Sequence, residues 1–198
     1  MIISYQGGEC FKISQGDLTL AVNPNKKMSA DITLFSTVST DASSGTSALA
    51  LGAMADKAGF VIDGPGEYEI KDIFVKGFLS KARDSINTIY MISFEGLNLC
   101  FLGALADPQI PAETLESLEN IDILFVPVGG KEVLDPAVAY KLAVSLEPSI
   151  IIPMHYDGTT LAQFIKEGGE KVEPLDKFVV KKKDLEGKEG EIILLKEE

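Results

Sequence analysis

Short runs in which apolar and polar residues alternate fill the first part of the chain, and this pattern predicts β-strands. Gly7-Gly8 and Gln15-Gly16-Asp17 supply the turns of the first hairpins, and Gly64-Pro65-Gly66 supplies a later turn. An alanine-rich stretch closed by Gly59 predicts a helix. The predicted elements are strands at 2–5, 10–14, 18–22, 32–35, 60–63, 68–70 and 73–76 and a helix at about 46–57.

The second half follows the same order, with a hairpin over Glu95-Gly96 and buried apolar strands before the helices. Asp135 as N-cap and Pro136 at the first position mark the start of one helix, and Gly168-Gly169 end another. The predicted strands are 88–94, 97–102, 121–126, 150–153, 179–180 and 192–195, and the predicted helices are 111–118, 136–146 and 159–166. Because strands precede helices in each half, we expect two sheets packed face to face with helices outside. No low-complexity linker divides residues 1–198, so a single domain is predicted.

The composition is that of a folded domain with a substantial core. Hydrophobic residues make up 45% of the 198 residues, charged residues make up 24%, and the mean hydropathy is +0.16. No apolar run approaches the roughly 20 residues that a membrane helix requires, and the N-terminus lacks the pattern of a secretory signal. Cys10 and Cys100 are too few for a disulfide framework and lie in apolar strand-like segments, so buried reduced thiols and a cytoplasmic location are predicted.

The formal net charge of −12 repels polyanions, so neither nucleic acid nor an anionic membrane surface is an expected partner. The one basic run, 181–183, is followed by Asp184, Glu186 and Glu189. We interpret this run as a solvated turn rather than a binding patch.

Several short motifs then combine into a resemblance. In chain order they are Gly7-Gly8-Glu9-Cys10-Phe11, Asp63-Gly64-Pro65-Gly66-Glu67-Tyr68-Glu69, Asn87-Thr88-Ile89-Tyr90, Glu95-Gly96-Leu97, Cys100-Phe101-Leu102-Gly103, Pro127-Val128-Gly129-Gly130, Ile152-Pro153-Met154-His155-Tyr156 and 172–177. With this order and spacing, the chain resembles the metallo-β-lactamase-fold hydrolases, in particular the small Zn-dependent hydrolases that include ascorbate-phosphate lactonase-like proteins. The resemblance implies an α/β (α+β) fold, a four-layer αββα sandwich of the metallo-β-lactamase type.

The family resemblance also marks where metal ligands belong, in loops at one edge of the sandwich. The family's H-x-H-x-D-H motif aligns with 37–42, where threonine, serine and alanine replace the imidazoles and only the aspartate keeps its type. A later histidine position aligns with an alanine, the metal-bridging aspartate position aligns with another alanine, and the last histidine is retained as the one histidine of the chain. The former metal-ligand positions are Thr37, Ser39, Asp41, Ala42, Ala82, Ala104 and His155.

These replacements remove the chemistry that a zinc site needs. Alanine donates nothing, and neutral hydroxyls are poor zinc ligands compared with imidazole or carboxylate. Asp41 and His155 supply at most two ligands, and without metal no bound water reaches a pKa near ~7. We therefore expect no tightly bound zinc pair, no other cofactor and no hydrolysis of the family type.

The retained residues carry two interpretations each. His155 has a functional interpretation, as a last metal ligand or a general base, and a structural one, as a polar residue at a strand end that is hydrogen-bonded to a neighbour. The loss of its partner ligands favours the structural interpretation. Asp41 is either a ligand or base, or a carboxylate that stabilises the start of the predicted helix, and we prefer the structural role.

The function predicted from the sequence is non-catalytic, namely binding of a small polar ligand or a protein partner by a cleft that has lost its dinuclear zinc site. The alternative is a metal-dependent hydrolase with an atypical site around Asp41 and His155, with Asp84 or Asp107 nearby and zinc or another divalent metal such as magnesium or manganese. A third possibility is a structural subunit that assembles with itself or with an active relative.

Overall fold

Two β-sheets form the body of the protein in the computed structural model, which describes residues 1–38, 59–169 and 171–198. The first sheet has strand order β13-β1-β2-β3-β4-β6, and the second has order β14-β12-β11-β10-β9-β8-β7, with β5 paired to β9. The strands are β1 (Ile2–Tyr5), β2 (Phe11–Gln15), β3 (Leu18–Val22), β4 (Ile32–Leu34), β5 (Thr37–Val38), β6 (Phe60–Ile62), β7 (Gly66–Ile70), β8 (Ile73–Lys81), β9 (Ile86–Phe94), β10 (Leu97–Phe101), β11 (Ile123–Pro127), β12 (Ile150–Met154), β13 (Phe178–Val179) and β14 (Glu191–Ile192).

Along each sheet, the pairing of neighbouring strands changes once from antiparallel to parallel. Strands β1, β2 and β3 form an antiparallel meander, whereas β3, β4 and β6 run parallel. In the second sheet β7 to β10 are antiparallel, and β10, β11, β12 and β14 run parallel. The parallel strands β11 and β12 are buried along their whole length, which is the pattern expected for strands covered on both faces.

The main hydrophobic core lies between the two sheets. Its centre is an aromatic cluster in which the ring of Phe11 packs edge-on against Phe125, with centroids 4.8 Å apart, and against Phe101 at 5.9 Å. All three side chains are fully buried. Inward-facing residues of both sheets therefore hold the two layers together.

Helices cover the outer face of the second sheet. They are α1 (Ala112–Ser117), α2 (Pro136–Ser145) and α3 (Gly158–Gly168), and a 3-10 helix follows at Lys182–Leu185. Phe164 of α3 and Ala139 of α2 belong to a second core with Leu124 and Ile151. The helix predicted at 46–57, which would form the fourth layer, lies outside the described residues.

The predicted fold class is confirmed, because the structure is a mixed α/β sandwich of two sheets with outer helices. The predicted start of α2 is also confirmed, since Asp135 accepts a hydrogen bond from the Ala137 amide and Pro136 is the first helical residue. Helix α3 begins at Gly158, and its N-cap Asp157 accepts hydrogen bonds from the amides of Thr159 and Thr160.

Four features differ most from the sequence prediction. The strand predicted at 192–195 is shorter, since β14 covers Glu191–Ile192. Strand β8 continues to Lys81, well beyond the predicted end at 76, because its partner β9 pairs with it as far as Lys81 and Ile86. Strand β5 was not predicted. Residues 181–183 are exposed, as expected for a solvated segment, but Lys182 lies in a 3-10 helix and places its Nζ 2.7 Å from both carboxylate oxygens of buried Asp122.

Cys10 and Cys100 are free and buried, as predicted, in different hydrophobic clusters. Burial raises the pKa of both thiols. Among the described residues, no helix has the length and apolarity needed to cross a membrane.

Candidate functional site

The loops that follow four strands meet at one edge of the sandwich. Ser36 follows β4, Gly103-Ala104 follow β10, Gly129-Gly130 follow β11, and His155 follows β12. The last three strands are parallel, so their carboxyl ends share an edge. The Thr88 amide of β9 donates to the Ser36 carbonyl at 2.7 Å and brings the first sheet to the same place.

His155 is fixed at this edge by contacts from the other sheet. Its backbone amide donates to the carbonyl of Gly8 at 2.8 Å, and its Nδ1 lies 2.7 Å from Oε1 of Glu9. Its backbone φ is +51°, a left-handed conformation that is costly for a residue with a side chain. The imidazole is therefore oriented by both main-chain and side-chain partners.

The Glu9 carboxylate controls the charge of this imidazole. The hydrogen bond to Glu9 raises the pKa of His155, partial burial opposes this by lowering it, and the negative charges of Glu9 and Glu132 raise it further. The side chain of His155 is 36% exposed and that of Glu9 is 11% exposed. The net effect is that His155 keeps its proton to a higher pH than a free imidazole.

Gly129 packs directly against the backbone of His155. A Cβ at this position would overlap the His155 carbonyl oxygen and would lie 2.9 Å from Cδ2 of the ring. The two loops are further joined by the Val128 amide, which donates to the Met154 carbonyl at 3.0 Å. Glycine is therefore required at 129 by the close approach of two backbones.

A small cleft of about 290 Å³ opens in front of His155. Both cationic and anionic side chains border it, and three glycines leave backbone groups near its surface. The lining residues are Gly8, Gly129, Gly130, Lys131, Glu132, His155, Tyr156 and Asp157. The carboxylate of Asp157 is occupied by the amides at the start of α3.

Behind Glu9, a polar path continues into the first sheet. Asn23 Nδ2 donates to Oε2 of Glu9 at 3.0 Å and to Oγ of Ser36 at 2.7 Å, and Asn23 Oδ1 accepts from the Ser36 amide at 2.7 Å. Asn23 also has a left-handed backbone, with φ +45°. A hydrogen-bonded chain therefore runs from His155 through Glu9 and Asn23 to Ser36.

Asn87 is the second polar centre of this edge, and its side chain is fully buried. Its Nδ2 donates to Oγ of Ser80 at 2.7 Å and to the carbonyl of Leu102 at 2.9 Å, while its Oδ1 accepts from the Ala104 amide at 2.9 Å. A Cβ on Gly103 would overlap Asn87 Oδ1 and approach Ser36 within 2.7 Å. The loop after β10 is therefore packed tightly onto Asn87 and Ser36.

Two of the former ligand positions, Thr37 and Ala104, lie against Asn87. Thr37 is its register partner in the β5–β9 pair, and the Ala104 amide bonds its side chain. Ala82 follows the end of β8 and donates its amide to the carbonyl of Ser85 at 3.2 Å. Of the remaining positions, His155 is described above, and Ser39, Asp41 and Ala42 lie outside the described residues.

Among the residues that the structure describes, the donor set at this edge does not fit a zinc site. Thr37, Ala82 and Ala104 offer one neutral hydroxyl and two methyl groups, and His155 adds a single imidazole whose Nδ1 contacts Glu9. In residues 1–38, 59–169 and 171–198, no three histidine, cysteine, aspartate or glutamate side chains cluster in a way that could hold a metal ion.

The two further carboxylates considered from the sequence are at the surface. Asp84 is exposed, and Asp107 is exposed with its Oδ1 accepting from the amide of Gln109 at 2.9 Å. The Ala106 amide donates to the Lys81 carbonyl, so the two loops that carry these carboxylates are adjacent.

The sequence did not reveal the roles of Glu9, Asn23, Ser36 and Asn87. Glu9 and Asn87 lie inside motifs that carried the family resemblance, but those motifs indicated fold only. Asn23-Pro24 follows a strand and is typical of a turn. The polar contacts of these residues join segments that are distant in sequence, so residue spacing alone gave no signal for them.

Comparisons with known proteins agree with this architecture. A family described as the beta-lactamase superfamily domain matches residues 2–155. A proposed Zn-dependent hydrolase of the metallo-beta-lactamase superfamily from Thermotoga maritima has a TM-score of 0.79 and 25% identity, with 98% of this chain and 97% of that chain covered. A proposed metal-dependent hydrolase from Parabacteroides distasonis has a TM-score of 0.65 and 17% identity, with 98% and 92% covered.

A third similar structure is Igni18, a metallo hydrolase from Ignicoccus hospitalis, with a TM-score of 0.63, 16% identity and 91% and 99% of the chains covered. The narrower likeness to ascorbate-phosphate lactonase-like proteins stays a prediction. The family match covers most of the chain and the similar structures share its two-sheet layout, so the chain belongs to the beta-lactamase superfamily and has the metallo-β-lactamase fold.

Proposed function

We propose that this protein is a non-catalytic member of its superfamily that binds a small polar ligand at the cleft in front of His155. The observation that carries the proposal is the chemistry of the donor set. Thr37, Ala82 and Ala104 stand at three of the former ligand positions and cannot replace imidazole or carboxylate ligands.

The loss of donors removes the nucleophile of the family's hydrolysis. Zinc lowers the pKa of its bound water to about 7, and hydrolysis at neutral pH depends on the hydroxide formed in this way. His155 is the one imidazole of the chain, and its contact with Glu9 favours the protonated form. The chain has no second imidazole to complete the family's set of histidine ligands.

The cleft itself suits a compact polar molecule. Its volume of about 290 Å³ is at the small end of ligand pockets, and its lining combines Lys131, Glu132 and the ring of His155. Because both signs of charge are present, a neutral ligand with hydroxyl or carbonyl groups can be hydrogen-bonded without burying an unpaired charge.

Isothermal titration calorimetry against a panel of small polar metabolites tests this proposal. We expect at least one compound to bind the protein and to lose affinity in His155→Ala and Lys131→Ala, with Lys196→Ala as a control whose ammonium pairs with exposed Asp176 elsewhere. If no compound binds, or if binding survives in both cleft variants, the ligand-binding proposal is wrong.

A second candidate function is a metal-dependent hydrolase with an atypical site around Asp41 and His155. The Glu9–His155 contact favours it, because metal-ligating histidines commonly bond a carboxylate through their other ring nitrogen. Hydrolysis of ester, lactone and phosphoester substrates in the presence of zinc, manganese or magnesium would support this candidate if the rate fell in Asp41→Ala and His155→Ala.

The partner proposal is that the same cleft or another surface binds a protein, including a second copy of this chain. Light scattering after size-exclusion chromatography tests self-association directly.

The proposed compartment is the cytoplasm, which is supported by two buried thiols that lie in separate clusters.

A further inference from the structure

The loops at the site edge are joined to one another by hydrogen bonds of this chain's own residues. Here the polar path His155–Glu9–Asn23–Ser36 links the end of β12 to the end of β4, and Asn87 links β9 to the loop after β10. The edge is therefore connected in both sheets through side chains.

Backbone hydrogen bonds extend the connection to the remaining loops. The Ala106 amide donates to the Lys81 carbonyl at 3.1 Å, the Leu134 amide donates to the Leu105 carbonyl at 3.1 Å, and the Arg83 guanidinium donates to the Lys131 carbonyl. The loop after β10 is thus hydrogen-bonded both to the end of β8 and to the loop after β11, and the loop after β8 also contacts the loop after β11.

Asn87 has the contacts of a residue that positions these connected loops. Each of its amide atoms is satisfied, its side chain is fully buried, and its Oδ1 fixes the Ala104 amide where the family's bridging carboxylate would begin. Gly103 approaches Asn87 and Ser36 so closely that no side chain fits between them. The space beside Gly103 is filled by this packing.

We infer that Asn87, together with Ser36 and Asn23, holds the loops of the cleft in their functional arrangement without any metal ion. The inference rests in part on the proposed function, because it explains how a cleft that has lost its ligands keeps its shape. Two consequences follow: chelation leaves the loops ordered, and loss of the Asn87 amide disorders them.

Hydrogen exchange by NMR, combined with thermal unfolding, tests this inference in the full chain. Asn87→Ala removes three hydrogen bonds of a buried amide, and we expect the melting temperature to fall by roughly 5–10 °C. We expect the exchange of the Ala104 amide to accelerate at least tenfold, whereas the Phe125 amide in β11 keeps its protection. Extensive dialysis against EDTA is expected to change neither quantity in the wild type.

A matched control removes a buried polar group from a nearby strand without removing a hydrogen bond. Thr33 is 1% exposed, and in the described part of the chain its Oγ1 has no hydrogen-bond partner. Thr33→Val should leave the Ala104 amide protected. Ser36→Ala provides a milder variant that folds if Asn87→Ala does not, and it should accelerate exchange at Thr88 and Ala104 by a smaller factor.

The failures of this inference and of the proposed function are distinguishable. If EDTA accelerates Ala104 exchange in the wild type, a metal orders the loops, and both are wrong. If EDTA has no effect and neither Asn87→Ala nor Ser36→Ala accelerates Ala104 exchange beyond the Thr33→Val control, the positioning role of Asn87 is wrong, whereas the proposed function stands.

Discussion

Replacing Gly129 by alanine tests whether the cleft depends on the close approach of the loops after β11 and β12. The added methyl would overlap the carbonyl oxygen of His155 and lie 2.9 Å from the ring carbon Cδ2. The first obstacle is backbone, so it cannot be relieved by a rotamer change. The chain must instead separate two loops that are joined by the Val128–Met154 hydrogen bond.

The expected cost follows from the nature of the clash. Forcing one extra carbon into a well-packed position typically costs about 1–3 kcal/mol, and a backbone obstacle places Gly129→Ala in the upper part of that range. Urea unfolding monitored by circular dichroism measures the change in the free energy of unfolding. Gly158→Ala is the matched control, because its Cβ would meet nothing within 4 Å in a helix, and alanine there should not destabilise.

The same substitution has a local reporter. His155 is the one histidine of the chain, so its imidazole signals can be followed by NMR without competing resonances. We expect Gly129→Ala to shift these signals and Gly158→Ala to leave them in place. If Gly129→Ala is as stable as the wild type and the His155 signals do not move, the close approach of the two loops is not a constraint on the cleft.

Two further substitutions test ion pairs at opposite ends of the fold. In Glu9→Gln we expect the pKa of His155 to fall towards the unfolded value of about 6.5, measured by NMR titration. Because the pKa of His155 is raised in the folded protein, its contribution to stability is complete below about pH 6.5 and is lost as the pH rises through the folded pKa. Glu9→Gln should abolish this pH dependence of the free energy of unfolding. Lys182→Met leaves buried Asp122 with the Asn98 amide as its remaining hydrogen-bond donor, and we expect a loss of about 1–3 kcal/mol in urea unfolding. An unchanged titration curve in the first variant, or an unchanged urea midpoint in the second, would contradict these assignments.

Sequence reasoning located most elements because their signals are local. The apolar runs of β11 and β12 and the Asp135-Pro136 start of α2 are each determined within a few residues. The end of β8 was missed because Gly77 and the polar residues 80 and 81 weaken the strand pattern, whereas pairing with β9 supplies the missing stabilisation. Tertiary pairing can override a weak local preference in this way.

The sequence identifies candidate residues of the site, but it does not show which of them contact one another. The loss of the family's metal ligands is inferred from aligned motifs and stays a prediction, and His155 stands out as the one histidine. Its partner Glu9 is 146 residues away in sequence, and the pair forms because the turn before β2 meets the end of β12. The left-handed backbones of Asn23 and His155 likewise depend on tertiary contacts, since neither residue type requires that conformation.

Elemental analysis of protein purified without chelator tests the central claim most directly. The account predicts zinc, manganese, magnesium and iron all well below one equivalent per chain, with no further decrease in the Asp41→Ala and His155→Ala double variant. A near-stoichiometric metal in the wild type that disappears in the double variant would contradict the account and would favour the hydrolase.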